Sequence, residues 1–333
     1  MRFLLVNLFI FAFALNIGAQ SVTVPAVAGG NDFSREMRPL FPSAYYNEYI
    51  ELKDAIDAGR PYWAANESES SDNSPQGESI FLNNDILAFY GHPGSRNMGI
   101  LGRFPKEELN EKLEELAAEY QAVGGRNVQK AFYIIFGTVW PEGEIGLIRE
   151  SLLREYVEFA LENGILTFID HQIGRFTPED SIRRMLPWLK YPNVHLALDP
   201  EWRTTKPMEE IGTVTADEIN QVQRIMEDYM IENQIPGERL LVIHQFNYRM
   251  ISSRDRIISN FSRVRLVHCA DGFGSPQEKK AAYAFNARAE NMPIKGFKLF
   301  YNFEIPGAGY DNPMLSPKEV LELNPRPYLV MYQ

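Results

Sequence analysis

The chain has 333 residues and a single cysteine, Cys269, so no disulfide can form within it and stability must come from packing. It also lacks a basic excess. Its 33 Lys and Arg stand against 44 Asp and Glu, a formal net charge of −11. Polyphosphate binders need a basic face, so the balance argues against nucleic acid as a partner, and equally against an anionic membrane surface. No Gly-x-Ser-x-Gly elbow occurs. The GHPG at Gly91–Gly94 is not the glycine-rich loop of a nucleotide binder. No repeat appears beyond a strand–helix unit.

The longest apolar run is Leu4–Leu15, too short to span a bilayer. Arg2 stands before it and the small Ala19 after it, which reads as an export signal over residues 1–19. No cysteine stands near the cleavage point to take a lipid. The expectation is a secreted or periplasmic protein with no membrane insertion once the signal is removed. Residues 20–80 then form an N-terminal segment. Tyr45–Gly59 reads as a helix closed by its glycine, and Ala65–Ser79, rich in Ser, Asn, Glu and Gly, as a flexible linker.

From Asp85 onward strands and helices alternate. The spacing predicts strands over 85–92, 130–140, 165–174, 194–202, 238–246, 264–272, 294–304 and 326–333. Helices are predicted over 106–125, 147–164, 178–191, 215–233, 252–261, 275–290 and 316–323, the fourth opening on the Thr-x-x-Glu of a capping box. Unbroken alternation implies parallel pairing through right-handed crossovers. Eight such units over residues 81–333 predict an α/β fold, a closed (β/α)₈ TIM-like barrel lacking its last helix. The N-terminal helix is expected to pack on it and fill that gap. An open doubly wound sheet is the other arrangement compatible with the alternation.

Chemistry in such barrels lies where strands end and the following loops begin. At those positions stand His92, Trp140, Asp170, Gln172, Asp199, Glu201, Trp202, His244, Gln245, Asp271, Asn302, Glu304 and Tyr332. Residues two apart on a strand share a face, so Asp199 and Glu201 are expected to project together, and Lys298, Phe300, Asn302 and Glu304 likewise. Glu201 and Glu304 would then converge on one cavity from opposite walls. Two carboxylates flanking a bond are what glycoside cleavage requires. Asp199 beside Glu201 would raise the pKa of one of them and keep a proton available. Trp140, Trp202, Tyr301 and Tyr332 would stack on sugar rings. His195 and His268, in mid-strand, read as satisfied core histidines. Asp271 suits either the site or a turn ahead of Ser275.

The Asp-x-Glu of ALDPEW resembles the strand-four motif of barrel glycoside hydrolases of the chitinase and barrel-lysozyme type. That resemblance implies Glu201 as general acid and Asp199 as its partner. The longer acidic run that chitinases carry before the pair is absent, since Leu196, Ala197 and Leu198 stand there. With GHPGS, FIDHQIGR, ALDPEW, VIHQF and ADGFG, the chain also resembles a set of exported bacterial barrel proteins.

The expected function is an exported glycan-active hydrolase that uses Glu201, Asp199 and Glu304 and needs no cofactor. Its substrate is expected to be bound by His92, Trp140, Asp170, Gln172, Trp202, His244, Gln245, Asp271, Asn302 and Tyr332. One alternative is a metal-dependent hydrolase or phosphodiesterase, with a divalent metal on His92, Asp170, Asp199 and His244, joined by Glu201. Against it, no His-x-His ends the first strand. The other is a carbohydrate-binding barrel without catalysis. Cys269 lies inside a strand, which argues against thiol catalysis.

Overall fold

Alternation of side chains along each strand decides the architecture. In the computed structural model, which describes residue 81 and residues 84–333, β1 (Asn84–Gly91) turns Ile86, Ala88 and Tyr90 to one face and Leu87 and Phe89 to the other. Both faces are buried, as a parallel sheet covered by helices requires. The remaining barrel strands are β2 (Asn127–Val139), β3 (Leu166–Gln172), β4 (Val194–Asp199), β5 (Arg239–Gln245), β6 (Val264–Ala270), β7 (Ile294–Leu299) and β8 (Leu329–Tyr332). Each pairs in parallel with the next. Closure is direct, because β1 pairs with β8 (Ile86 with Leu329) and with β2 (Ala88 with Ala131). The chain forms a closed (β/α)₈ barrel, and the open-sheet arrangement is set aside.

Two cores result. Inside the barrel, Ala88, Tyr133, Phe168, Ala197, Val242, Val267 and Met331 fill the lumen. Outside, the opposite face of every strand meets the helices. On α1 (Lys106–Gly124), Leu109, Leu113, Ala117 and Tyr120 are buried at spacings of three and four, one stripe of a 3.6-residue period. The stripe on α2 (Glu150–Glu162) is Leu153, Tyr156, Val157 and Ala160. The helices α3 (Pro178–Met185), α4 (Ala216–Glu232), α5 (Pro276–Ala287) and α6 (Pro317–Leu321) each begin with a reciprocal capping box, from Thr177, Thr215, Ser275 and Ser316. These boxes satisfy amide donors that a helix start leaves orphaned.

Several predicted bounds are corrected. Ile145–Leu147 is not helical; it folds back antiparallel on the end of β2, Gly137 opposite Leu147. Pro187 turns the end of α3 into a 3₁₀ stretch, Leu186–Lys190. β4 stops at Asp199, where Pro200–Trp202 makes a 3₁₀ turn, and β7 stops at Leu299, well short of Glu304. The helix predicted over 252–261 is absent. Ser253 takes a left-handed φ of 54°, and side-chain amides satisfy the backbone that follows. Asn291 donates to the carbonyls of Arg254 and Ile257, both at 2.9 Å. Asn220 donates to Arg256 and accepts from the Ile258 amide, while Gln223 donates to Ile258. The predicted signal, helix 45–59, linker 65–79 and packing of that helix on the barrel lie outside the described residues.

Replacing Asn291 with Ala leaves two carbonyls without their donors, so it should cost about 1–3 kcal/mol. Urea titration should show that loss with far-UV circular dichroism unchanged. An unchanged midpoint would mean that the segment does not depend on these amides.

Candidate active site at the C-terminal mouth

The inward face of each strand carries small or apolar side chains low in the barrel and polar ones near its C-terminal end. Tyr90 (β1), Tyr133 (β2), Asp170 (β3), Asp199 (β4), His244 (β5), Cys269 and Asp271 (β6 and the residue after it) and Lys298 (β7) gather there, all 5% exposed or less. His244 is the hub. Its Nδ1 lies 3.1 Å from Asp271 Oδ2, and its Nε2 lies 2.7 Å from the Tyr133 hydroxyl and 3.8 Å from Asp170 Oδ2. Asp271 Oδ2 also lies 3.5 Å from Lys298 Nζ. Lys298 stands 3.8 Å above the Tyr90 ring, and the Tyr90 hydroxyl donates to Asp170 Oδ2 at 3.0 Å. These contacts close a ring around the lumen: Lys298, Asp271, His244, Asp170, Tyr90 and back to Lys298.

Asp199 stands within the field of this ring, and Glu201 is at its solvent edge, half-buried on the 3₁₀ turn. The Asp199 side chain accepts from the Glu201 backbone amide at 3.3 Å, which ties it to the turn that carries Glu201. The group contains four carboxyls, Asp170, Asp199, Glu201 and Asp271, against the two cations His244 and Lys298. They cannot all ionise in a site of low dielectric. Burial raises Asp199 to about 7, with Asp271 and Asp170 adding repulsion. Burial, then Asp199 and Asp271, push Glu201 well above the usual carboxyl range. Burial raises Asp170 as well. Asp271 moves the other way: burial opposes its charge, but Lys298 and His244 outweigh it and keep it ionised. Burial also opposes a charge on His244, yet the Asp271 hydrogen bond and the nearby carboxyls carry its pKa well above normal. The mouth therefore sets three carboxyls whose pKa is raised beside one, Asp271, whose pKa is lowered. The second oxygens of Asp170 and Asp271 are buried and have no hydrogen-bond partner. Orphaned acceptors of this kind are rare in folded proteins and mark where a donor from a ligand or water would sit.

Of the residues picked from sequence, Asp170, Asp199, Glu201, His244 and Asp271 come together. Gln172 braces the rim, its side-chain oxygen accepting from the Val139 amide at 2.7 Å. Trp140 is 38% exposed and lies over Gly146, where an added Cβ would come within 2.6 Å of the indole nitrogen. Trp202 is half-buried beside Glu201. His92 spends its Nδ1 on the Gly94 amide, within its own loop. Asn302 and Glu304 are exposed, the Asn302 side chain accepting from the Glu304 amide at 2.9 Å. Because β7 has already ended, Glu304 does not share a strand face with Lys298, and the predicted convergence with Glu201 along β7 fails.

Gln245 and Tyr332 face outward, away from the mouth. Gln245 joins His268 at 2.9 Å, and buried Lys295 joins His268 to the carbonyls that end α5. Tyr332 shares a 2.8 Å hydrogen bond with Tyr120 of α1. As expected, His268 is a partnered core histidine; His195 accepts the Leu240 amide through one nitrogen. Tyr90 and Tyr133 are not among the residues picked from sequence, and Lys298 is placed there on the inward face without a role. Each lies on the inward period of its strand, so stepping that period back from the strand end would have found the two tyrosines. Of the suggested metal set, Asp170, Asp199 and His244 lie in this cluster, while His92 turns its Nδ1 to the Gly94 amide; among the described residues no group of three or more His, Cys, Asp or Glu is arranged to hold an ion.

The fold and site together define a (β/α)₈ barrel with a mixed acid–base cluster at its C-terminal mouth. No protein-family model matches the chain, and no curated protein matches it. Among solved structures it is similar to a beta-glucanase from Saccharophagus degradans, at 13% identity and a TM-score of 0.44, over 74% of this chain and 77% of that one. A chitinase from Ipomoea carnea matches at 10% identity and 0.41, over 74% and 93% of the two chains. A family 18 chitinase from Crocus vernus matches at 7% and 0.38, over 74% and 92%. At this distance the likenesses say nothing of chemistry.

The raised pKa of Asp199 has a consequence for stability. Its folded value, about 7, exceeds the ordinary 3.8, so the favourable contribution of this group is complete below about 4 and is lost as pH rises through 7. Asp199→Asn keeps an acceptor for the Glu201 amide and has nothing to ionise. The variant should melt a few degrees above the wild type at pH 8, with the gain shrinking toward pH 5. A pH-independent difference in melting temperature would contradict this.

Proposed function

We propose that the protein is a glycan-active hydrolase whose general acid is Glu201. One observation carries the reading: Glu201 and Asp271 share one mouth in opposed environments, burial and then Asp199 raising the pKa of Glu201 while Lys298 and His244, against burial, lower that of Asp271. Environments that push two carboxyls apart in pKa assign them opposite roles in proton transfer. Glu201 would give its proton to the glycosidic oxygen as the bond to the anomeric carbon breaks. Asp271 would take a proton from the incoming water or balance the positive charge that develops on the sugar ring. Asp199, sharing the local proton with Glu201, tunes the acid. Trp202 and Trp140 supply faces for sugar rings. Asp271 replaces Glu304 as the counter-carboxylate. We place the activity outside the cytoplasm, on the strength of Arg2 and the apolar run after it.

The test is release of reducing ends from cell-wall and storage glycans. Glu201→Gln should lower turnover by about 10²–10⁴-fold while glycan binding persists. The wild-type rate should fall on the alkaline side of its profile, because rising pH removes the proton that the acid must donate, and that limb should lie above the ordinary carboxyl range because burial and Asp199 raise the pKa of Glu201. Glycan binding without any release of reducing ends would instead make the protein a binding barrel. A Glu201→Gln variant of full activity would move the acid elsewhere.

A further inference from the structure

Beside the acid cluster, an open cleft runs between the loop after β1 and the loop after β7, lined among others by Asn97, Phe300, Tyr301, Phe303 and Tyr310. It adjoins the ring of charges, since Lys298 Nζ lies 5.1 Å from the centre of the Phe300 ring. Both walls are fixed. On the β7 side, Asp311 accepts from the amides of Phe300 and Gly274 at 3.0 and 3.1 Å, which pins the aromatic wall. On the β1 side the loop is folded tightly on itself. His92 donates to Met98 at 2.8 Å, and Ser95 donates to His92 at 2.9 Å. Gly99 has a φ of 86°, and an added Cβ there would come within 2.3 Å of the Tyr90 carbonyl; at Gly102 a Cβ would come within 2.0 Å of the Ser95 carbonyl.

The segment from the end of β1 to α1 also carries two arginines, each next to a lining residue rather than in the lining itself. The Arg103 guanidinium lies 3.9 Å above the ring of Phe303, a residue of the cleft wall, and its Nε is buried with no hydrogen-bond partner. Arg96, next to Asn97 of the lining, is exposed and close enough to Arg103 to depress its pKa, after burial. Among the described residues neither meets a carboxylate. Elsewhere the surplus of acid supplies partners: Arg126, Arg175, Arg203 and Arg326 each form an ion pair. In a chain of net charge −11, the two lie side by side at the edge of an aromatic cleft with no ion pair among the described residues.

We infer that this cleft binds a sugar ring bearing a carboxylate, so that the substrate is a uronate-containing glycan. The inference rests on the hydrolase reading for the word substrate, and on the cleft alone for binding. The aromatic wall would take the face of the ring, and Asn97 and Tyr301 its hydroxyls. Arg103 and Arg96 would take the carboxylate, for which a planar guanidinium is well shaped. A neighbouring ring would then lie toward Glu201.

Calorimetric titration on the Glu201→Gln protein, which would hold ligand without turnover, tests this. The probes are oligosaccharides of galacturonate, of glucuronate with N-acetylglucosamine, and of mannuronate, each beside a neutral oligosaccharide of equal length. At least one uronate probe should bind at least about tenfold more tightly than its neutral counterpart, and weaken as salt is raised. Arg103→Met, which keeps a stem over Phe303, and the surface change Arg96→Gln should each remove most of that preference. Equal affinity for neutral probes, no binding of any uronate, or affinity indifferent to both substitutions overturns the inference. Arginine-dependent uronate binding without hydrolysis by the wild type would sustain the inference and end the hydrolase reading. Cleavage of neutral glycans at a rate untouched by either arginine would do the reverse.

Discussion

The contact on which the mouth of this barrel depends is the one between His244 and Asp271. A buried imidazole held at 3.1 Å from a buried carboxylate, with a tyrosine hydroxyl on its other nitrogen, fixes the charge of both groups. Neither charge would be tolerable alone in the lumen, where an unpaired ion costs several kcal/mol. Once that pair is set, Lys298 has a partner and the Tyr90–Asp170 contact closes the ring. Asp199 and Glu201 are raised above the usual carboxyl range first by burial and then by repulsion from the carboxyls around them. Acid at the rim is thus a product of desolvation beside an ordered set of charges.

Much of the fold could be read from the chain because its signals are local. The Thr177, Thr215, Ser275 and Ser316 boxes each announce a helix start within four residues, and apolar runs of strand length, buried on both faces, mark the barrel strands. The errors arise where a distant partner decides. Nothing within SSRDRIISNF reports that Asn291, more than thirty residues on, will occupy its carbonyls. Nothing in IKGFKLFYNFE says where the backbone leaves the sheet, because the aromatics Phe300, Tyr301 and Phe303 continue past the end of pairing at Leu299.

The same limit governs the site. Asp170, Asp199, Glu201, His244 and Asp271 were legible because they are polar groups at the ends of apolar runs. Gln245 and Tyr332 were polar at strand ends too, but one residue out of phase with the lumen, so they serve the outer layer with His268 and Tyr120. The roles of Tyr90, Tyr133 and Lys298 were hidden for the opposite reason. An aromatic or a long aliphatic stem inside a hydrophobic run looks like packing, and it is the hydroxyl or ammonium at its tip that takes part in the ring. Arg96 and Arg103 gave no sign either, since only the structure shows that they lack carboxylate neighbours.

Below the ring the lumen is solid. Tyr133 stacks on Phe168 with ring centres 5.1 Å apart, Phe168 meets His195 at the same separation, and Ala88, Val242 and Met331 complete the plug. The barrel therefore has one door. Nothing can be threaded through it, so whatever the mouth binds must arrive and leave on the same side.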